Sequence, residues 1–304
     1  MPELPEVETI RIGLQKRIIG KKIADVEVRL PKIISIGPHV VSNIRKTSKK
    51  SARIFRDLLL GHKFVKIGRR AKMLMLDLSG PLTLLVHLKM TGQLIFVRKG
   101  EKKLVKILNS PSSRKEFLPH QYTHVIFKFT DKSRLFYNDL RQFGYLRLVR
   151  DEDMKKVREL GEYGPEPSDP KFNAEYLAQK AKSRPKISIK QFLMDPKVVA
   201  GIGNIYSDEI LYWSKLRPMR PLKSVKPRDF QVIIQSTHKV LKDALKAGGS
   251  SVGDFFQVDG SEGTYGKQLM VYGRYALRCK KCGTVIKSVK LGGRTGSYCP
   301  RCQK

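Results

Sequence analysis

Two residues at the start of the chain, Pro2 and Glu3 in "MPELPEVETI", have the types and spacing for covalent chemistry. Met1 ahead of a proline is ordinarily trimmed by aminopeptidase, and trimming exposes the secondary amine of Pro2. An α-amino group titrates near 8 against about 10.4 for lysine, so at neutral pH its reactive free-base fraction is larger by roughly a hundredfold. Proline's somewhat higher basicity shrinks that advantage. Attack of such an amine on the anomeric carbon of a sugar gives an iminium, whose fixed positive charge acidifies the neighbouring C–H bond and opens a route to elimination. Glu3 stands one residue away to protonate the opening ring, and Glu6 can reach back from a first helical turn. A plainer reading, a helix start with Pro at N1 and acids at its positive end, covers Pro5, Glu6 and Glu8 but leaves Pro2 and Glu3 unexplained.

The second chemical constellation lies at the other end. All four cysteines fall in the last 26 residues, as "CKKC" at Cys279 and Cys282 and "CPRC" at Cys299 and Cys302, with 16 residues between the pairs. That spacing suits two thiolate knuckles around one tetrahedral Zn2+, with Gly283 easing the turn after the first pair. Two disulfides are the alternative, and a reducing compartment disfavours them.

Charge names the class of partner. The 304 residues carry 61 Lys and Arg against 27 Asp and Glu, 61 − 27 = +34. The excess is clustered: residues 43–72 hold eleven cations and one acid, and residues 274–304 hold nine cations and no acid. Neutralised phosphates release condensed counterions, so a nucleic acid is the expected partner. The longest uncharged apolar stretch, "LSGPLTLLVHL" at Leu78–Leu88, is too short to span a bilayer. With no cationic leader followed by an apolar run, a cytoplasmic protein without a membrane partner is expected.

The elements that must position these groups follow from periodicity. Val7, Ile10, Leu14 and Ile18 keep helical spacing from Pro5, and Gly20 offers a stop, predicting a leading helix over about 5–18. Residues 22–150 then break into short β-branched and aromatic runs: "IADVEVRL", "HKFVKIG", "KMLMLDL", "LTLLVHLK", "GQLIFVR", "THVIFKFT", "SRLFYND" and "GYLRLVR". These predict an antiparallel sandwich or barrel as the domain 1–150. The polar, basic stretch 98–119 reads as a long mobile loop. A Pro/Gly-rich segment, "LGEYGPEPSDP", marks a linker within 151–170. Helices are expected over 173–182, 190–194, 204–215 and 227–247 of a domain 171–265. A flexible "DGSEGTYGKQ" at 259–268 then leads to a zinc module at 270–304. The fold class is therefore α+β and multidomain.

Five ordered motifs, "PELPEVET", "GRRAKML", "HLKMTGQL", "LMDPKVVAGIGNIYSDEIL" and "GRTGSYCPRCQK", resemble bacterial formamidopyrimidine-DNA glycosylase across nearly the whole chain. The resemblance implies an N-terminal β-sandwich with a leading helix, a helix-two-turn-helix domain and a zinc-ribbon-type β-hairpin finger. It implies base-excision repair: a monomer that flips oxidised purines such as 8-oxoguanine out of double-stranded DNA. The base is removed through a Schiff base, and the strand is nicked by β,δ-elimination. Carried over residue by residue, it makes Pro2 the nucleophile, Glu3 the acid and Glu6 its support. Lys72 and Arg294 become phosphate-binding residues of the elimination steps. Met90 fills the vacated space, Arg141 bonds the widowed base and Phe143 wedges the opposite strand. Asn204 and Tyr122 become DNA contacts, and Lys190, with Arg184 and Lys186, becomes a basic contact that compensates for Pro185. The chain departs from the pattern at Leu140 and Gln142, where Pro and Arg are usual, at Tyr122, a usual histidine, and at Pro185, where a basic contact is common.

Two other readings remain open. The endonuclease VIII branch shares the Pro-Glu terminus but prefers oxidised pyrimidines, and "PELPEVET", Arg141 and Phe143 favour the purine branch. A non-catalytic zinc-ribbon nucleic-acid-binding protein would account for the charge, but needs neither Met1 removal, Glu3 nor Lys72.

Overall fold

The computed structural model describes residues 1–39, 49–107, 115–252 and 255–304. The chain forms two compact units: residues 1–161 with 248–263, and residues 162–247 with 264–304.

Helix α1 (Leu4–Ile18) opens the first unit, and its apolar stripe Val7, Ile10, Leu14 and Ile18 is buried. The predicted strands form two sheets. The four-stranded sheet has the order β1 (Ile23–Val28), β9 (Thr123–Phe129), β10 (Arg134–Asp139), β6 (Gly92–Val97), all antiparallel. The five-stranded sheet has the order β2 (Ile34–Ile36), β11 (Tyr145–Arg150), β5 (Leu82–His87), β4 (Met73–Leu78), β3 (Phe64–Arg70), with only β2 parallel to its neighbour. Inward residues such as Leu74, Leu84, Val125, Phe127, Leu135 and Leu146 share one core with α1, the sandwich expected from the short β-branched and aromatic runs.

Several features differ from expectation. Residues 49–59 form a helix, α2 (Lys49–Leu59), whose Phe55 and Leu59 are buried in the sandwich core. The stretch 98–119 contains a ribbon of β7 (Leu104–Lys106) and β8 (Lys115–Phe117) rather than an unstructured loop, with residues 108–114 outside the described part. Its Val105 is buried against Ile95, Ile126 and Phe136, which holds the ribbon to the sheet. The expected linker begins with a 3-10 turn, Asp151–Lys156, and α3 (Arg158–Glu162); Val157 buries against Met73, Leu85 and Val149 on the outer face of the five-stranded sheet. Residues 248–263, read from sequence with the helical domain, fold with the sandwich because Phe255 and Val258 bury in its core.

In the second unit α4 (Ala174–Lys182) and α6 (Asn204–Trp213) pack on α7 (Pro227–Lys246). Asn173 caps α4 through the Tyr176 N–H, and a Ser188–Gln191 capping box starts α5 (Ile189–Met194). The expected flexible stretch before the zinc module ends instead in a 3-10 turn, Tyr265–Gln268, because the Tyr265 ring buries against Tyr206. Strands β12 (Lys287–Leu291) and β13 (Arg294–Tyr298) form the terminal hairpin. Among the described residues no helix is long and apolar enough to cross a membrane.

Candidate active site and nucleic-acid interface

Pro2 is buried, directly ahead of α1. Glu3 occupies the N-cap, and a capping box links it to Glu6: the Glu6 carboxylate accepts the Glu3 N–H at 2.8 Å while the Glu3 side chain accepts the Glu6 N–H. The second Glu6 oxygen accepts the N–H of Ser250 at 2.8 Å, tying the chain start to the returning 248–263 segment. Both carboxylates are only 1 % exposed. Glu6 thus satisfies helix-end donors and fixes the residue 2–3 peptide at once.

Lys72 sits in the tight turn between β3 and β4, where Ala71 takes a left-handed φ of 53°. Arg69 donates to the Ala71 carbonyl at 2.8 Å and to Glu8 at 2.9 Å, and Glu8 also accepts from Arg11 at 2.7 Å. Burial raises the Glu8 carboxyl, but the two guanidinium partners outweigh that and hold it below the ordinary range. Glu8 therefore anchors the Lys72 turn to the helix that carries Glu3. The sequence around Glu8 marks it only as a helix-end acid; its partner Arg69, 61 residues away, leaves no local signal.

The proposed wedge residues occupy two loops joined through one buried carboxylate. Asp139, 0 % exposed, accepts the Thr91 hydroxyl at 2.5 Å on one oxygen and the Gly144 N–H at 2.8 Å on the other. Thr91 in turn accepts the Arg141 N–H at 2.9 Å. The Met90 turn and the 141–143 loop are thereby held as one body. Gly144 is required: a Cβ there would stand 2.0 Å from the Tyr137 hydroxyl and 2.9 Å from the His87 carbonyl. Phe143 is 55 % exposed, with the Arg141 guanidinium 4.8 Å above its ring, so it is not a core residue. Met90 is half-buried, and the Lys89 N–H before it donates to His87 Nδ1 at 3.0 Å. Burial first, then the charges of Lys89, Lys72 and Arg147, push the His87 imidazole down to about 3, so it stays a neutral acceptor. Tyr122 is half-buried and lies edge-on to His120. Asp139 and Thr91, 48 residues apart, carry no local sequence signal of this pairing.

In the second unit, Asn204 starts α6 after a Gly203 cap, and its side-chain oxygen is a buried acceptor with no hydrogen-bond partner among the described residues. Lys190 departs from the expected role of DNA contact. Its ammonium is 1 % exposed and donates to Asp208 at 2.6 Å, Ser207 at 3.1 Å and the Asn204 carbonyl at 3.2 Å. Burying a lysine demands such a partner, so Lys190 organises the start of α6 from behind. Asp208 also accepts the Ser297 N–H at 2.9 Å, joining β13 to the same network. Arg294, at the start of β13, is exposed beside the turn Gly292–Gly293, whose φ values of 53° and 74° suit a two-residue hairpin.

The four cysteine sulfurs lie within 4.8 Å of one another, with separations of 3.5 Å for Cys282–Cys299 and Cys282–Cys302 and 4.0 Å for Cys279–Cys302. Four thiolates 2.3 Å from a tetrahedral zinc stand about 3.8 Å apart. A disulfide would need about 2.05 Å. The set therefore fits one closed structural Zn2+ site, with all four positions filled by protein.

Three family models match in order: the formamidopyrimidine-DNA glycosylase N-terminal domain over residues 1–146, its H2TH domain over 163–255, and the zinc finger found in FPG and IleRS over 276–304. The chain belongs to the formamidopyrimidine-DNA glycosylase family. Family members from Pelotomaculum thermopropionicum and Carboxydothermus hydrogenoformans are 35% and 37% identical over 304 residues; each alignment covers all of this chain and at least 99% of the relative. Among solved structures, a variant of Lactococcus lactis FPG bound to Fapy-dG-containing DNA matches with a TM-score of 0.82 at 30% identity, covering 100% of both chains. The wild-type protein from that organism, in complex with an oxidised-pyrimidine-containing DNA, matches with a TM-score of 0.81. As a formamidopyrimidine-DNA glycosylase, the chain is an enzyme of base-excision repair that acts on damaged purines in DNA.

Proposed function

We propose that the chain excises 8-oxoguanine and formamidopyrimidines through a Schiff base on Pro2 and then cleaves the strand by β,δ-elimination. After loss of Met1, the Pro2 amine attacks C1′ of the flipped nucleotide and the C1′–N bond to the base breaks. Glu3 protonates the ring oxygen as the sugar opens to an iminium. The iminium draws electrons from the C2′–H bond, so proton loss there expels the 3′ phosphate, and a second elimination expels the 5′ phosphate. Lys72, Asn204 and Arg294 bind phosphates, with Lys72 and Arg294 serving the elimination steps. Met90, Arg141 and Phe143 hold the opened duplex, beside Tyr122 as a backbone contact. The zinc supplies no chemistry in this scheme and fixes the hairpin that carries Arg294.

The observation that carries this reading is the Glu3–Glu6 capping box with its tie to Ser250. An ordinary helix start has no need of a second buried carboxylate bound to a loop 244 residues away. Product analysis tests it: 8-oxoguanine opposite cytosine should yield a nicked strand with phosphate at both ends, and mass spectrometry of the native protein should find Pro2 first. An intact strand bearing an abasic site, or retained Met1 in active protein, would defeat it. The enzyme is further proposed to act as a cytoplasmic monomer. Slower excision of oxidised pyrimidines is expected, since a homologue has been captured with such a DNA.

A further inference from the structure

The two faces of the β7–β8 ribbon differ in a way its own fold does not explain. Val105 turns inward and, with Leu118, packs against the four-stranded sheet. Outward, Leu104 stands opposite Phe117 and Lys106 stands opposite Lys115. The first pair leaves apolar surface in water, and the second sets like charges side by side. Phe117 is 59 % exposed, and two cations directly opposed across an antiparallel ribbon destabilise it. Lys106 pairs loosely, at 3.8 Å, with the exposed Glu262. Arg98, Lys99 and Lys102, all exposed, extend the positive charge along the chain leading in. Lys106 also lines one crevice with Tyr122, put forward above as a DNA contact, and with Leu140, which directly precedes Arg141, so the ribbon adjoins that proposed contact surface of the same unit.

We infer that the outward face of this ribbon is a second duplex-DNA contact, in which Lys106 and Lys115 neutralise phosphates and the Leu104–Phe117 pair covers the apolar edge of the sugars. A polyanion relieves the repulsion between the lysines, and a groove wall shields the exposed ring. The contact adds affinity for duplex whether or not a lesion is present. It rests on the DNA-repair reading but not on the Pro2 chemistry.

The test is binding to an undamaged duplex across a salt series, for wild type, Lys106→Gln/Lys115→Gln, Lys106→Arg/Lys115→Arg and Phe117→Ser. Each phosphate contact contributes about 0.9 to the slope of log K against log salt, so the Gln pair should lower the slope by about 1.8, changing the affinity ratio to wild type about twelvefold between about 50 and 200 mM salt. The Arg pair should retain the wild-type slope, and Phe117→Ser should weaken binding with the slope unchanged. A Gln pair with the wild-type slope overturns the inference, as does an effect on single-stranded RNA that is absent on duplex DNA. Borohydride trapping of wild type on lesion DNA, run alongside, separates the two readings. Trapping with an unchanged slope removes the ribbon contact alone, whereas a lowered slope without trapping leaves that contact standing and removes the Pro2 chemistry.

Discussion

Thr91→Val isolates the link between the two wedge loops. Valine keeps the shape of threonine but can neither donate to Asp139, now at 2.5 Å, nor accept the Arg141 N–H, now at 2.9 Å. The site is buried, with Thr91 3 % exposed, so water does not replace these bonds. A hydrogen bond to a charged group contributes about 1.5–3 kcal/mol and a neutral one about 1 kcal/mol, which sets the loss at roughly 3 kcal/mol. If the loss falls on the geometry of Met90, Arg141 and Phe143, the flipped state is disfavoured by up to about a hundredfold, since about 1.4 kcal/mol is tenfold. The assay is stopped-flow fluorescence of 2-aminopurine beside the lesion, paired with single-turnover excision. Both should slow about ten- to a hundredfold, while nicking of a preformed abasic site, which requires no base extrusion, should slow far less. Thr91→Ser, which keeps the hydroxyl, should recover most of the rate. Wild-type flipping in the valine variant, or equal slowing of excision and abasic-site nicking, would refute a coupling of the loops through Asp139.

Two further outcomes follow from the geometry. His87 is held neutral at about 3 against an ordinary 6.5, so its stabilising effect is present above pH 6.5 and is lost as pH falls toward 3. Between pH 6.5 and 5 that is about 1.7 kcal/mol, because the unfolded imidazole is half protonated at the start of the interval and nearly fully at its end, and a His87→Gln variant should show a correspondingly smaller loss of denaturant stability over that interval. Removal of zinc by a chelator should release the β12–β13 hairpin and with it Arg294, abolishing tight duplex binding while near-ultraviolet dichroism of the sandwich aromatics persists.

Much of this architecture is written in local pattern. The strand runs from Ile23 to Arg150 are short, apolar and rich in β-branched and aromatic residues because much of each sheet is buried on both faces, and the four cysteines carry their knuckle spacing openly. Helix α2 was hidden because six of the residues Lys49–Leu59 are polar or charged, leaving Phe55 and Leu59 to mark its buried side. Partners distant in sequence were illegible for a physical reason: nothing near Glu8 announces Arg69, and nothing near Asp139 announces Thr91. Lys190 shows the converse error. In so basic a chain a lysine reads as a phosphate contact, and only the carboxylate of Asp208, 18 residues on, turns it into a buried strut. The returning 248–263 segment likewise adjoins the helical domain in sequence, whereas its Phe255 and Val258 belong to the sandwich core.

The central claim is that the nitrogen of Pro2 bonds to the sugar. Incubation with a duplex containing 8-oxoguanine opposite cytosine, followed by borohydride, should reduce the iminium to a stable protein–DNA adduct. Peptide mapping should place that adduct on Pro2, and Pro2→Gly should abolish it. An adduct on a lysine, or undiminished trapping by the glycine variant, would contradict the account.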